Sequence, residues 1–200
     1  MSMTDQDLCR RPATGRHAVA GAMFERHATA VYNHCFRHTA DWAAAQDLTA
    51  MVFLEIVRRP GRVRFHDGSA LPWLLATATN LTRNHARSGR RLQRALARSG
   101  TPPSEPDFAG DATERLDDER RMRAALDMLR QLPRRERDAF ALCAWSGLTY
   151  EQAGFALGVP TGTIRSRLSR ARARLRDLTA DDLRPEPGLA PALQGVRHDD

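Results

Sequence analysis

Six arginines and no acid fall among the sixteen residues from Thr161 to Arg176. Wound as an α-helix, the stretch puts Ile164, Leu168, Ala171 and Leu175 on one face and Ser166, Ser169, Arg170 and Ala173 on the other. Arg165, Arg167, Arg172, Arg174 and Arg176 flank the two. An outer face that is small, hydroxylic and cationic suits a major groove, where guanidinium groups reach phosphates and base edges. The arginines alone would equally describe a solvated basic helix. The residues before them decide between the two. Thr149 followed three residues later by Gln152 is a capping box, which starts a helix at Tyr150. Gly158 can take the left-handed conformation that stops it, Pro160 cannot continue it, and Thr161 can cap the next helix. Two helices joined by a short turn around a glycine form a helix-turn-helix, so the arginines are placed to be read by DNA.

A second polar set lies upstream. Asn80, Arg83, Asn84 and Arg87 stand at spacings of three, four and seven, which makes one continuous helix face with hydrogen-bonding groups beside positive charge. The same pattern also fits a solvated face. His27, His34 and His38, with Cys35 nearby, share a helix face and have metal-ligating side chains, but one helix rarely closes a tetrahedral site, so no metal is expected. No clustered carboxylates, phosphate-binding glycine loop or histidine-glutamate zinc motif is present, which argues against an enzyme and against a cofactor.

The elements that must carry these residues are helical throughout. Apolar positions recur at helical spacing in Phe24, Ala28, Val31 and Cys35, in Ala45, Leu48, Val52 and Ile56, in Leu74, Ala78, Leu81 with His85, and in Met122, Leu126 and Leu129. The segment from Arg58 to Ser69, RRPGRVRFHDGS, reads as a loop. No strand pattern or internal repeat is found. The expected organisation is all-α: a loose N-terminus (1–20), a helical domain (21–97), an acidic flexible linker (98–119), a helix-turn-helix domain (120–178) and a disordered tail (179–200). Thirty-one arginines, with no lysine, stand against 24 acids for a net charge of +7, which favours a polyanionic partner or an acidic protein surface. Cys9, Cys35 and Cys143 are odd in number and far apart, which fits a reducing compartment. No apolar run is long enough to span a membrane and no apolar leader is visible, so a cytoplasmic location is expected.

The C-terminal motifs resemble a known family. Leu132-Pro133, the run from Gly147 to Ala153, the run from Leu157 to Leu168 and Arg170-Ala171 look like the promoter-reading domain of bacterial RNA polymerase sigma factors of the extracytoplasmic-function group. Ala153, Gly154 and Phe155 stand where that family commonly has Ile, Ala and Glu. The resemblance implies minus-35 contacts by Thr161, Thr163, Arg165, Ser166, Arg167, Ser169 and Arg170. The N-terminal half is similar to the family's first domain. Asp47, Leu48, Phe53 and Leu54 match its polymerase-docking helix, while Gln46 and Met51 replace acids. Leu48, Val52 and Phe53 read as core, which leaves Asp47 and Met51 for the docking face. The run from Trp73 to Leu81, WLLATATNL, resembles the start of the family's minus-10 helix. The resemblance implies that Asn80, Arg83, Asn84 and Arg87 hold the minus-10 element, that the loop residues Phe65, Asp67, Ser69 and Ala70 accept a base flipped from the melted strand, and that Trp73 is core.

The implied function is promoter-specific transcription initiation by a non-enzymatic subunit that recognises the minus-35 and minus-10 elements and assists melting. The implied partners are core RNA polymerase through the clamp helices of its largest subunit, promoter DNA and an anti-sigma factor, with no membrane. The resemblance implies that the acidic linker threads the polymerase cleft, while its composition fits a plain soluble tether equally well. The alternative is a free-standing helix-turn-helix regulator of an operator, which would need neither a docking helix nor a base-capture loop.

Overall fold

Ala40 sits in the left-handed region at φ 51° and its N–H reaches back to the Phe36 carbonyl, which ends one helix, while the Asp41 carboxylate accepts from the Ala44 N–H at 2.9 Å and starts the next. This corner sets α2 (Arg16–Thr39) against α3 (Trp42–Arg58) in the computed structural model, which describes residues 3–10, 15–99 and 112–182. The remaining helices are α1 (Asp5–Arg10), α4 (Leu71–Ser99), α5 (Ala112–Arg130), α6 (Arg134–Phe140), α7 (Tyr150–Leu157) and α8 (Thr161–Asp182). Among the described residues there is no strand beyond a single bridge between His66 and Ser69.

Three differences from the expected organisation stand out. The N-terminus, read as loose to residue 20, carries α1 and the first turns of α2, with Leu8, Val19 and Ala20 buried. Helix α5 starts at Ala112 rather than near Arg120, so the acidic stretch from 112 to 119 is helical. Acids near a helix N-terminus are favoured by the macrodipole, which composition alone does not reveal. The remainder of the linker and the tail beyond 182 lie outside the described residues, as does the linker's expected path. Thr161 is the first residue of α8 and not its cap; the ladder begins at the Pro160 carbonyl, which accepts from Thr163 and Ile164.

The apolar core is continuous across both units. Met23, Val31, Cys35, Leu48, Val52, Ile56, Leu74 and Leu75 fill the space between α2, α3 and α4, and the same cluster runs on through Ala139, Leu142, Ile164 and Leu168. On α4 the buried face differs from the expected one: Leu74, Leu75, Ala78, Thr79 and Thr82 are inside, Leu81 is half-buried and His85 is exposed. Thr79 and Thr82 are tolerated there because their hydroxyls donate to the Leu75 and Thr79 carbonyls at 2.8 and 3.0 Å.

Polar contacts fasten the two units together. Between α6 and α7 the chain makes a π-helical turn, Ala141–Trp145, closed by Ser146 N–H on the Ala141 carbonyl at 3.1 Å. That turn puts the Ser146 hydroxyl 2.7 Å from His34 Nδ1, while His34 Nε2 lies 2.9 Å from Thr79 Oγ1. The Thr79 proton is committed to Leu75, so Nε2–H must donate to Thr79 and Nδ1 must accept from Ser146. His34 is thus neutral, and its pKa is driven well below the ordinary value by burial first and then by His38, Arg37 and Arg83. Arg37 donates to the Trp145 carbonyl beside it, and Arg83 meets Asp138 at 2.7 Å.

Candidate nucleic-acid interface

The helix-turn-helix forms where the local signals place it. Thr149 Oγ1 accepts from the Gln152 N–H and the Gln152 side chain accepts from the Thr149 N–H, at 3.2 and 3.0 Å. Helix α7 stops at Gly158, at φ 65°. Gly154 faces the turn so closely that a Cβ there would lie 2.8 Å from the Val159 carbonyl, so any larger residue would force the turn to shift. Ile164, Leu168 and Ala171 are buried, and Arg165, Ser166, Ser169 and Arg170 are exposed together on the outer face. Thr161, Thr163 and Arg167 are half-buried at its edge. Glu136, 7% exposed, lies 3.5 Å from Arg170 and 3.1 Å from Arg174, so one carboxylate from α6 orients two of the α8 guanidinium groups.

The loop before α4 is a two-residue hairpin. His66 and Ser69 exchange both backbone hydrogen bonds, at 2.9 and 3.0 Å, around Asp67 at φ 49° and Gly68 at φ 77°. Positive φ at both central residues is the two-residue hairpin turn that the Asp67-Gly68 pair favours. Helix α1 grips this hairpin from one side. Asp5, 4% exposed, accepts from the Ala70 N–H at 2.8 Å and pairs with Arg26 at 2.9 Å and His27 at 2.7 Å, while the Gln6 N–H donates to the Gly68 carbonyl at 3.1 Å. Burial alone would raise the Asp5 pKa; the hydrogen bonds from His27, Ala70 and Arg26 outweigh it and lower the value to about 2. From the other side Phe155 of α7 packs 5.2 Å from the His66 ring and 5.1 Å from the Arg64 guanidinium.

The expected base-capture residues are therefore not equivalent. Ala70 is fully buried and its N–H is taken by Asp5, so its side chain offers nothing to a base. Phe65 is half-buried against the core, and the Ser69 hydroxyl accepts from the Leu71 N–H at 3.2 Å. The Asp67 side chain is 90% exposed. On α4, Asn80, Asn84 and Arg87 are exposed, whereas Arg83 is held by the Asn80 side chain at 3.0 Å and by Asp138.

A groove of about 590 Å³ between the end of α3, the following turn and α4 is lined by Arg59, Arg62, Arg64, Trp73, Thr77 and Asn80, with Glu55 as its one carboxylate, 3.8 Å from Arg59. Sequence reading placed Trp73 wholly in the core; it is half-buried, with part of the ring facing this groove. The arginine-rich run from Arg58 to Arg64 with an aromatic nearby was the available signal.

On α3 the docking candidates divide by burial. Leu48 and Phe53 are 3% and 6% exposed and belong to the core, which removes them from any contact surface. Asp47, Met51 and Leu54 are exposed, the latter two at 42% and 46%. Phe24, expected in the core, is 48% exposed and packs edge-on against Phe53 at 5.0 Å, which extends the apolar ridge onto α2. The histidines of α2 go to separate partners, His27 to Asp5 and His34 to Ser146 and Thr79, and no three metal-ligating side chains gather among the described residues. No helix among them is long and apolar enough to cross a membrane.

Residues 23–92 match the family described as Sigma-70 region 2, and residues 122–175 match Sigma-70, region 4. The chain is 34% identical over 175 residues to the ECF RNA polymerase sigma factor SigE of Mycolicibacterium smegmatis, covering 84% of this chain but only 65% of that longer one. It is 31% identical over 162 residues to the RNA polymerase sigma factor CarQ of Myxococcus xanthus, covering 80% of this chain and 88% of CarQ. Among solved structures, the sigma factor RpoE of Bartonella quintana in complex with the anti-sigma factor NepR shares the fold, with a TM-score of 0.53 and 23% identity over 81% of this chain and 97% of that one.

Proposed function

This chain belongs to the extracytoplasmic-function group of the sigma-70 family, and from that membership we propose how its two units divide promoter recognition. The C-terminal unit reads the minus-35 element through the outer face of α8, with Arg165, Ser166, Ser169 and Arg170 at the base edges and Thr161, Thr163 and Arg167 along the rim. The N-terminal unit docks on core RNA polymerase through Asp47, Met51, Leu54 and Phe24. It holds the melted minus-10 strand along Asn80, Asn84 and Arg87, with Arg83 joining once Asp138 releases it.

The groove of Arg59, Arg62, Arg64 and Trp73 supplies what a single strand needs: cations that follow the backbone and an aromatic surface for a base. The extruded base is received between Phe65, Asp67 and Ser69. Chemistry of phosphodiester bonds belongs to the polymerase, and this chain supplies binding energy and position alone, in the cytoplasm where the polymerase works.

The observation that carries this reading is the exposed cationic and hydroxylic face of α8 on a helix-turn-helix whose first helix is capped at both ends, joined in one chain to a unit that bears an exposed apolar ridge beside Asp47. An operator-binding regulator has no use for that ridge. The closed packing of the two units offers an anti-sigma factor a single surface made from both. Purified chain added to core RNA polymerase on a pool of genomic promoter fragments should yield transcripts from a defined subset sharing two spaced elements. Formation of a complex with core that starts transcription no more selectively than core alone would overturn the proposal.

A further inference from the structure

Two units that pack together through apolar surface leave one wall of their junction strongly charged. A cleft of about 260 Å³ opens between α4, α5 and α6. Six arginines line it: Arg83, Arg87 and Arg90 from α4, Arg130 from α5, and Arg134 and Arg137 from α6. Asp138 is the only carboxylate in the lining, and it is already engaged with Arg83 at 2.7 Å and with Arg134 at 4.0 Å. Arg130 has its own partner in Asp127 at 2.6 Å, but Arg87 and Arg90 pair with no carboxylate among the described residues.

Like charges gathered in a partly enclosed space repel one another unless an anion joins them. Two shielded nitrogens at this wall lack any hydrogen-bond partner, His38 Nε2 and Arg137 Nε, and both residues line the cleft. Burial first, then Arg83 and Arg137, hold the His38 pKa down at about 4, so its ring is neutral beside these cations.

We infer that this cleft binds a compact anion of the polyphosphate class, gripped by guanidinium groups from both units. Planar guanidinium forks match phosphate oxygens in pairs, which a monovalent halide cannot exploit. No Phe, Tyr or Trp lines the cleft, so the recognised part is a chain of phosphates rather than a nucleobase. A duplex is too wide to enter a space of this volume. Because the arginines come from α4 on one side and from α5 and α6 on the other, an anion bound between them favours the closed arrangement of the two units. The inference does not depend on which promoter the chain reads.

The test is calorimetric titration of the full chain with sodium tripolyphosphate, at constant ionic strength, with sodium sulfate and a short single-stranded oligonucleotide as separate arms. One tripolyphosphate should bind per chain, with Arg130→Ala and Arg134→Ala each weakening it tenfold or more and the distant Arg16→Ala leaving it unchanged. Should an alanine variant fail to fold, as judged by circular dichroism, Arg134→Lys keeps the charge but loses the fork and should still weaken binding severalfold. Nitrogen-15 shifts of the His38 ring should report an upward move of its titration in the complex. The inference is overturned by any of three results: equal losses in Arg134→Ala and Arg16→Ala, an unmoved His38, or an oligonucleotide that binds through Arg134 while tripolyphosphate does not compete.

Discussion

Arg83 of α4 and Asp138 of α6 meet at 2.7 Å, with only 22% and 12% of their side chains exposed, so a cation here proposed to hold promoter DNA is occupied by a carboxylate from the other unit. Phosphate and Asp138 cannot take the same guanidinium edge at once. Asp138→Asn should therefore loosen the junction by about 1.5–3 kcal/mol, the usual range for a charged hydrogen bond, and raise affinity for a single-stranded minus-10 oligonucleotide severalfold. Fluorescence energy transfer between labels on α3 and α8, read beside oligonucleotide binding, checks both halves. Unchanged transfer together with unchanged binding would mean that the pair restrains nothing.

The hairpin should depend on Asp5, whose carboxylate ties it to α1. Asp5→Asn should lower stability near neutral pH by at most about 2.5 kcal/mol, from a folded pKa of about 2 against an ordinary 3.8. A depressed acid pKa stabilises above the unfolded value, so the difference from the parent chain should shrink as pH falls from about 3.8 toward 2. Urea unfolding across that range measures it. On the proposed role of the hairpin in receiving the melted strand, the same substitution should impair promoter opening more than closed binding; permanganate reactivity of unpaired thymines reads the opening.

Acidification should open the junction. His34 and His38 are neutral in the folded chain, and His38 ionises only near pH 4. For a histidine whose folded pKa is depressed, stability is present above the unfolded value near 6.5 and is lost as pH falls toward about 4. Small-angle scattering from pH 7.5 to 4.5 should show expansion in that window, and His38→Gln should flatten it. An identical profile in the variant would assign the change to other groups.

Base reading and phosphate attraction should separate along α8. Arg165→Ala should cost about 1–3 kcal/mol and relax preference at the minus-35 element, while Arg176→Ala should weaken all sequences alike and lower the salt slope by about 1. Arg170 is a less clean probe, since its removal also leaves Glu136 with Arg174 alone. Competition among promoter variants at two salt concentrations distinguishes the two arginines.

Docking should be lost when the ridge on α3 is charged. Asp47→Arg and Leu54→Arg alter exposed positions and should leave thermal unfolding within about 0.5 kcal/mol of the parent, yet abolish association with core polymerase. Co-purification with core gives the result directly.

Where structure is dictated by neighbours in the chain, the sequence was a reliable guide. Thr149, Gln152 and Gly158 mark both ends of α7 because capping is local chemistry. Helix α1 was illegible for the opposite reason: its six residues are held by Gly68 and Ala70, more than sixty positions away. Phe24 obeys helical periodicity with Val31 yet lies outside, since periodicity names a stripe but not its margin. Thr79 and Thr82 were missed as core because a hydroxyl counts as polar until its proton finds a carbonyl one turn back. The occupation of Arg83 by Asp138 is a property of the packed pair of units, which no single helix encodes.

The unbroken core between the two units also sets a limit on reach. The minus-35 and minus-10 elements lie about 25 base pairs apart, or about 85 Å of duplex at 3.4 Å per pair. A packed chain of 200 residues has a radius of gyration of about 16 Å. As a caliper, the closed molecule is too short to touch both marks. It must part where α4 packs on α7 and α2 on the π-helical turn before it can measure a promoter, and its apparent affinity is reduced by the fraction of molecules that have done so. Polymerase, in holding the jaws apart, would then lend this chain its span.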